Sequence, residues 1–463
     1  MKRRLFQRLL KIAISRQTPR SVSGAWRLRR LLLCALCLAS GFQGCKPSPE
    51  ERASVTITLL DPGWLDRGFL GWRTHEMEQF KQETGISVKL LPAPETAIDQ
   101  LTLLRKLFVS SSDAPDVFAN DVIWPAMMAP YALPLDSTLT NDASGAFPYL
   151  LANNTVDGNI VAMPYHIDAG LLFYRTDLLK EYGYRAPPAT WTELETMATR
   201  IQKGERAKGN KDFWGFVWQG SPSEGLTCNA LEWQLADGGG NIIEKDRTIS
   251  VNNPKALRTW ERGARWVGTI SPPGVIAYRE WDALNIWRVG NAAFMRNWPT
   301  GYLTSRGEGS SIGKKFAITL LPAGSAGRAG VMGGANLSVY RDTKHPKEAL
   351  ALVRFLCRHD VQRARALATT QPPTFVDLYD DPEIIKANPH FAGLKDLFLH
   401  HLAMRPSRIV GEKYTDVSAA YFRAVHSVLA HEVEAGKAGE KLQTELIQIT
   451  GLPVGKSNGK ANQ

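Results

Sequence analysis

Several residue groups in this 463-residue chain have spacings that could do chemistry, and most of them fail on context. Gly309-Ser310-Ser311-Ile312-Gly313 has the pattern of a nucleophile elbow, a device that needs a strand before the serine and a helix after it. Here a polar loop precedes and a strand-like run, 316–320, follows, so the match is chance. The same glycines miss a phosphate loop, because the spacing is wrong and Lys315 stands where Ser or Thr would hold magnesium. His400 and His401 are adjacent and point apart on a helix, which leaves no two-ligand metal site. A glycosidase pair of carboxylates is neither indicated nor excluded by sequence. No cofactor is expected.

The better candidates are aromatic and acidic. Thirteen tryptophans are an unusual supply, and aromatic planes can cover a ligand's apolar face while carboxylates and guanidinium groups fix its polar rim. Trp124 and Asp121 follow the apolar run 117–119, and Trp64 follows the first strand at Asp61-Pro62-Gly63. Ends of strands are where open α/β sheets bind ligands. Trp298 sits between Met295-Arg296-Asn297 and Pro299, a turn-like setting that exposes a side chain. Each of these tryptophans is otherwise a core residue, and a carboxylate such as Asp121 is otherwise a helix cap or half of a loop salt bridge.

The elements that would hold these groups read as an α/β pattern. Val55, Ile57 and Leu59 alternate as a strand; Trp72, Met77 and Phe80 mark one face of a helix that Gly85 can end; Ile86, Val88 and Leu90 alternate again. A second helix, about 96–109, leads through Asp113-Ala114-Pro115 into 117–119, so a parallel layer is expected. Thr190 with Glu193 forms a capping box for a helix carrying Leu194, Met197 and Ile201. Asn253-Pro254 and His345-Pro346 open two more. The length exceeds what one core serves, and two lobes are expected.

The formal charge of +11 suggests nucleic acid until it is located along the chain. Residues 1–44 hold ten Lys and Arg and no acid, so removing them leaves +1. No nucleic-acid partner is expected. The basic stretch, the apolar run 31–38 and the small residues Ala39, Ser40 and Gly41 read as an export signal, too short to span a bilayer. Translation starting internally, near Val22, is an alternative for the long basic region. Residues 46–53 read as a polar tether. Cys228 and Cys357 could pair in an oxidising compartment or remain buried thiols.

Phe42-Gln43-Gly44-Cys45 resembles a bacterial lipobox, with Gly44 and Cys45 fitting and Phe42 and Gln43 departing from it; the resemblance implies acylation of Cys45, against an ordinary signal peptide cleaved nearby. Further on, the blocks 120–125, 164–175, 191–194, 224–233 and 294–299 are similar, in order, to family 1 extracellular solute-binding proteins of sugar ABC importers, most of all the trehalose/maltose-binding branch. The resemblance implies a periplasmic-binding-protein type II-like fold, α/β, with lobe one at 54–167 and 335–372 and lobe two at 171–331 and 375–463. Gly170, Gly333-Gly334 and Pro372-Pro373 then fall at hinge crossings.

It also implies a non-enzymatic, exported, monomeric protein, lipid-anchored to a membrane, that passes a disaccharide such as trehalose or maltose to permease subunits served by a separate ATPase. A lipid-anchored glycoside hydrolase and a sensor without transport are the rivals. By resemblance Trp298 stacks on sugar, Asp121 and Asp168 bind hydroxyls, and Gly334 lets backbone amides approach, unless it is only a turn. His166 stands where related chains carry a sugar-touching aromatic, and Trp64 stands in a loop that often binds ligand. Arg405, in a late block with Tyr414, would fork onto hydroxyls or form a surface pair.

Overall fold

Short apolar runs rich in Val, Ile, Leu and Phe form the strands, as expected for segments covered on both faces. A computed structural model describes residues 55–61, 67–94, 96–110 and 114–455. The leader, the tether, Cys45 and Trp64 therefore lie outside the described residues.

Along the chain come β1 (Thr56–Leu60), β2 (Ser87–Leu91), β3 (Val117–Asp121), the small hairpin β4 (Thr155–Val156) and β5 (Asn159–Ile160), then β6 (Met163–Asp168) and β7 (Leu171–Arg175). β8 (Trp214–Val217), β9 (Ala292–Asn297), β10 (Phe316–Leu320), β11 (Gly330–Val331), β12 (Gly333–Val339) and β13 (Leu402–Ala403) complete the set among the described residues. Two main sheets result, in the orders β2-β1-β3-β12-β6 and β10-β7-β9-β8. The chain has the two-lobed fold of type II periplasmic binding proteins, one sheet to each lobe.

The β1-β2 and β1-β3 pairs are parallel, as the alternating β-α pattern predicts. The expectation of a parallel layer is corrected at one strand: β12 runs antiparallel to both β3 and β6. The reason is its origin. It enters the first sheet from the second, so it starts at the edge where β3 and β6 end, with Ala335 opposite Asp121 and Gly333 opposite Asp168.

Three crossings join the sheets at this edge. Ala169-Gly170 separates β6 from β7, Met332 separates β11 from β12, and the third begins after the helix His359–Thr369. There the Ile167 amide donates to the Pro372 carbonyl at 3.3 Å and the Phe147 amide to that of Thr374 at 3.0 Å. Residues 374–401 then touch both sides, Tyr379 and Phe398 meeting Phe147 and the helix Phe391–Asp396 lying against β10. Gly334 has φ of +116°, and a Cβ there would lie 2.3 Å from the His166 carbonyl oxygen, so only glycine fits.

Helix starts follow local chemistry. The Thr190 hydroxyl accepts from the Glu193 amide at 3.2 Å, and the Glu193 carboxylate reaches back to the Ala189 amide at 2.7 Å. Asn253 caps its helix through the amides of Lys255 and Ala256. The tryptophan supply is mostly core: Trp124, Trp191, Trp218, Trp233, Trp260, Trp266 and Trp287 are all buried. In lobe two Trp233 packs edge-on against both Trp218 and Trp266, with centroids 5.1 and 5.3 Å away.

Lobe one contains a buried ionic chain. Arg73 forks onto Asp61 at 2.8 and 2.9 Å and reaches Glu76 at 2.8 Å, while Arg365 holds the other Glu76 oxygen at 2.7 Å. Both guanidinium groups also lie over the Tyr165 ring, Arg365 at 4.0 Å and Arg73 at 4.9 Å. Glu76 is the joint between two buried cations. Glu76→Ala should lower unfolding free energy by about 3–5 kcal/mol, since it leaves the buried Arg365 without a carboxylate and Arg73 with Asp61 alone; chemical denaturation measures this, and a loss under about 1 kcal/mol would show the cluster to be dispensable.

Candidate functional site

The edge where the sheets exchange strands gathers the polar residues singled out above. Asp121 is the last residue of β3, and its Oδ1 accepts from the Ile123 amide at 3.1 Å. Arg405 comes from the other lobe, with Nη2 3.8 Å from Asp121 Oδ1. The same Nη2 donates to the Met332 carbonyl at 2.9 Å, and Nη1 donates to Glu224 Oε1 at 2.7 Å. Arg405 is thus buried and touches one lobe, the second crossing and a carboxylate of its own lobe. The surface-pair alternative for Arg405 is corrected by this burial.

Glu224 is the residue that sequence reasoning missed as an individual. It opens the helix Glu224–Ala236 and collects Arg405, the Tyr414 hydroxyl and Ser418 Oγ, the last at 2.6 Å. The available signal was slight, a carboxylate at a helix N-terminus.

Trp124 is buried beneath this corner and lines a cavity of about 120 Å³ between the lobes. Leu101, Ile123 and Met127 wall it on one side, and Tyr414, Ser418 and Phe422 on the other. Thr415 Oγ1 meets Met127 Sδ across the gap at 3.7 Å. The cavity combines apolar walls with a polar end at Glu224, the mixture that ligand pockets show.

The second corner lies one strand away. Asp168 ends β6, and its carboxylate accepts from the Ala169 amide at 3.1 Å. Trp298 follows β9; its amide donates to Asn297 Oδ1 at 2.8 Å, and its indole lies over Arg296 and against Gly333. The ring is half-buried rather than freely exposed, which corrects the turn-based expectation: packing against the crossing covers one face. His166 is buried on β6 with its ring edge-on to Tyr165 at 5.3 Å, and its Nδ1 has no partner among the described residues.

Burial dominates the electrostatics here. It pushes Asp121 up to about 6 from its ordinary 3.8, with Arg405 opposing, and holds Asp168 well above the usual carboxylate range, with Arg296 opposing. His166 is pushed down to about 3, first by burial and then by Arg365 and Arg73, so it stays neutral at physiological pH. No group of three metal-capable side chains occurs among the described residues, and none of their helices is long and apolar enough to cross a membrane.

The fold is that of a two-lobed binding protein. Residues 74–363 match the model for bacterial extracellular solute-binding proteins, and the chain belongs to that family. It is similar to a probable ABC transporter-binding protein of Deinococcus radiodurans, 42% identical over 81% of this chain and 89% of the relative. Among solved structures, maltose-bound MalE3 of Thermotoga maritima is 32% identical, with a TM-score of 0.78 over 86% of this chain and all of that one. A solute-binding protein of Thermotoga lettingae bound with alpha-D-tagatose shares the fold, with a TM-score of 0.76 at 22% identity, over 86% of this chain and 100% of that one. Family membership makes the chain an exported solute-binding component of an ABC transporter, not an enzyme.

The raised carboxyl of Asp121 has a pH signature. Its contribution to stability is fully present below the ordinary value of 3.8 and is lost as pH rises through about 6. Between pH 7 and pH 4, wild type should gain ~1–3 kcal/mol of unfolding free energy relative to Asp121→Asn, one pKa unit being about 1.4 kcal/mol. Urea titrations of both proteins at four pH values measure the gap, and a flat difference would show that Arg405 fully offsets burial.

Proposed function

We propose that this protein captures a sugar between its lobes and delivers it to permease subunits powered by a separate ATPase. The observation that carries the reading is the convergence of Asp121 and Arg405 with Asp168 and Trp298 on one interlobe edge, spanned by the first residues of β12. Carboxylates accept sugar hydroxyls in fixed directions, a guanidinium donates to others, and an indole covers the apolar face of the ring. Gly334 leaves the backbone bare beside them.

Closure requires no chemistry. Residues 54–167 with 335–372 act as one lobe and 171–331 with 375–463 as the other, and a ligand touching both favours the shut state by its differential affinity. His166 contributes a neutral acceptor where it contacts the sugar, and Trp64, expected in the site from sequence, lies outside the described residues. Maltose is the leading ligand, because MalE3 was solved with it at 32% identity; trehalose is the next. In this reading the protein is a monomer, anchored by lipid on Cys45.

A ligand that binds only folded protein raises its stability, by about 2.7 kcal/mol at a concentration 100-fold above Kd. Maltose and trehalose should therefore raise the thermal midpoint, and a screen in which neither they nor other mono- and disaccharides do so would reject the sugar reading. Trp298→Ala should weaken sugar binding about 10- to 100-fold in calorimetry while leaving the protein folded. Unchanged affinity would remove the indole from the site.

A further inference from the structure

The first crossing rests on a buried ion pair outside the polar set just described. Arg296, on β9, forks onto Glu232 of the helix Glu224–Ala236, with Nη2 2.5 Å from Oε1 and Nε 3.0 Å from Oε2. Neither side chain reaches solvent. The remaining nitrogen, Nη1, donates to Gln219 Oε1 at 3.1 Å, Gln219 Nε2 donates to the Arg296 carbonyl at 3.0 Å, and Asn229 Nδ2 donates to the same Gln219 oxygen at 3.0 Å. These bonds leave the guanidinium one orientation.

The guanidinium lies over the Trp298 ring. The Arg296 Cζ lies 4.1 Å from the Trp298 ring centroid, within cation–π range. The pair also fills the space that a side chain would need at the first crossing. A Cβ on Gly170 would fall 2.3 Å from Glu232 Oε1 and 2.4 Å from Arg296 Nη2. The indole meets the second crossing directly, since a Cβ on Gly333 would stand 2.7 Å from Trp298 Cζ3.

Two buried charges are a poor way merely to fill this volume, because well-packed apolar residues of similar size often serve stability as well or better. What an apolar pair lacks is a planar, fixed surface for the ring. We propose that Arg296 is a positioning residue for Trp298: held by Glu232 and Gln219, its guanidinium is the floor that sets the indole's place relative to both crossings. The proposal rests on the reading of Trp298 as the plane on which the sugar stacks. Lysine keeps the charge but has neither the fork nor the flat face, so it separates orientation from charge.

The test uses the whole protein labelled with 5-fluorotryptophan. The Trp298 fluorine signal is assigned by its loss in Trp298→Phe. In Arg296→Lys that signal should shift or broaden, and the maltose affinity measured by calorimetry should fall at least about tenfold. In the Trp298→Phe background the same change should alter affinity less than about twofold, as expected when one residue acts through the other. If Arg296→Lys does not fold, Arg296→Met with Glu232→Leu, which removes both charges, carries the same readouts. An unmoved Trp298 signal in folded variant protein overturns the positioning role. An equal loss of affinity in both backgrounds shows that Arg296 acts on the sugar by another route, and overturns it too. A shifted signal with maltose affinity unchanged in Trp298→Ala keeps the positioning and rejects the stacking, so the two failures are distinguishable.

Discussion

Two sheets share one narrow waist, and at two of the three crossings the chain passes through glycines where a side chain would not fit. The nearest contacts that a Cβ would make at Gly170, Gly333 and Gly334 are 2.3, 2.7 and 2.3 Å, closer than real side chains approach. Close approach at the waist is what lets the ends of β3 and β6 face the start of β12. From that follow the site's other features: carboxylates at strand ends, an indole held against glycine, and an arginine that reaches a crossing carbonyl.

Each lobe braces the waist with buried charge. In lobe one, Arg73, Glu76 and Arg365 enclose Tyr165, three residues before the end of β6. In lobe two, Arg296 and Glu232 sit under Gly170, at the entrance to β7. Both clusters are satisfied by forked hydrogen bonds, the condition under which low-dielectric burial of ions becomes tolerable. The consequence is a braced frame on either side of the crossings, which suits the proposed closure by turning of whole lobes.

Local chemistry was the legible part. Thr190, Asn253 and the glycines at the crossings announce helix starts and tight backbone because their side chains, or lack of one, act on neighbouring residues. The strand-end position of Asp121 also followed from pattern, whereas Asp168, placed by resemblance beside a crossing, proves to end β6. The division of tryptophans between core and cleft was not legible. Trp218 and Trp298 each follow a strand directly, yet one is enclosed by Trp233 and Trp266 and the other is only half-buried, because burial depends on partners far along the chain. Glu224 was hidden for the same reason: Arg405 and Tyr414 lie 181 and 190 positions away. The direction of β12 was hidden too, since a strand's sense follows from the path of the whole chain.

The two thiols of the folded body have a practical consequence. Cys228 and Cys357 are free, buried and in different lobes, and burial pushes both up to about 12. At neutral pH their thiolate fraction is on the order of one part in 100,000, so neither exchanges with disulfides nor takes up alkylating reagents at a useful rate. No disulfide joins the described residues, so none has to be formed for this body to fold. The slow reaction of the two thiols also means that a cysteine introduced on the surface of each lobe would be labelled selectively. A donor and an acceptor dye could be placed there without removing any native residue of the body, and lobe motion followed as a distance, one molecule at a time.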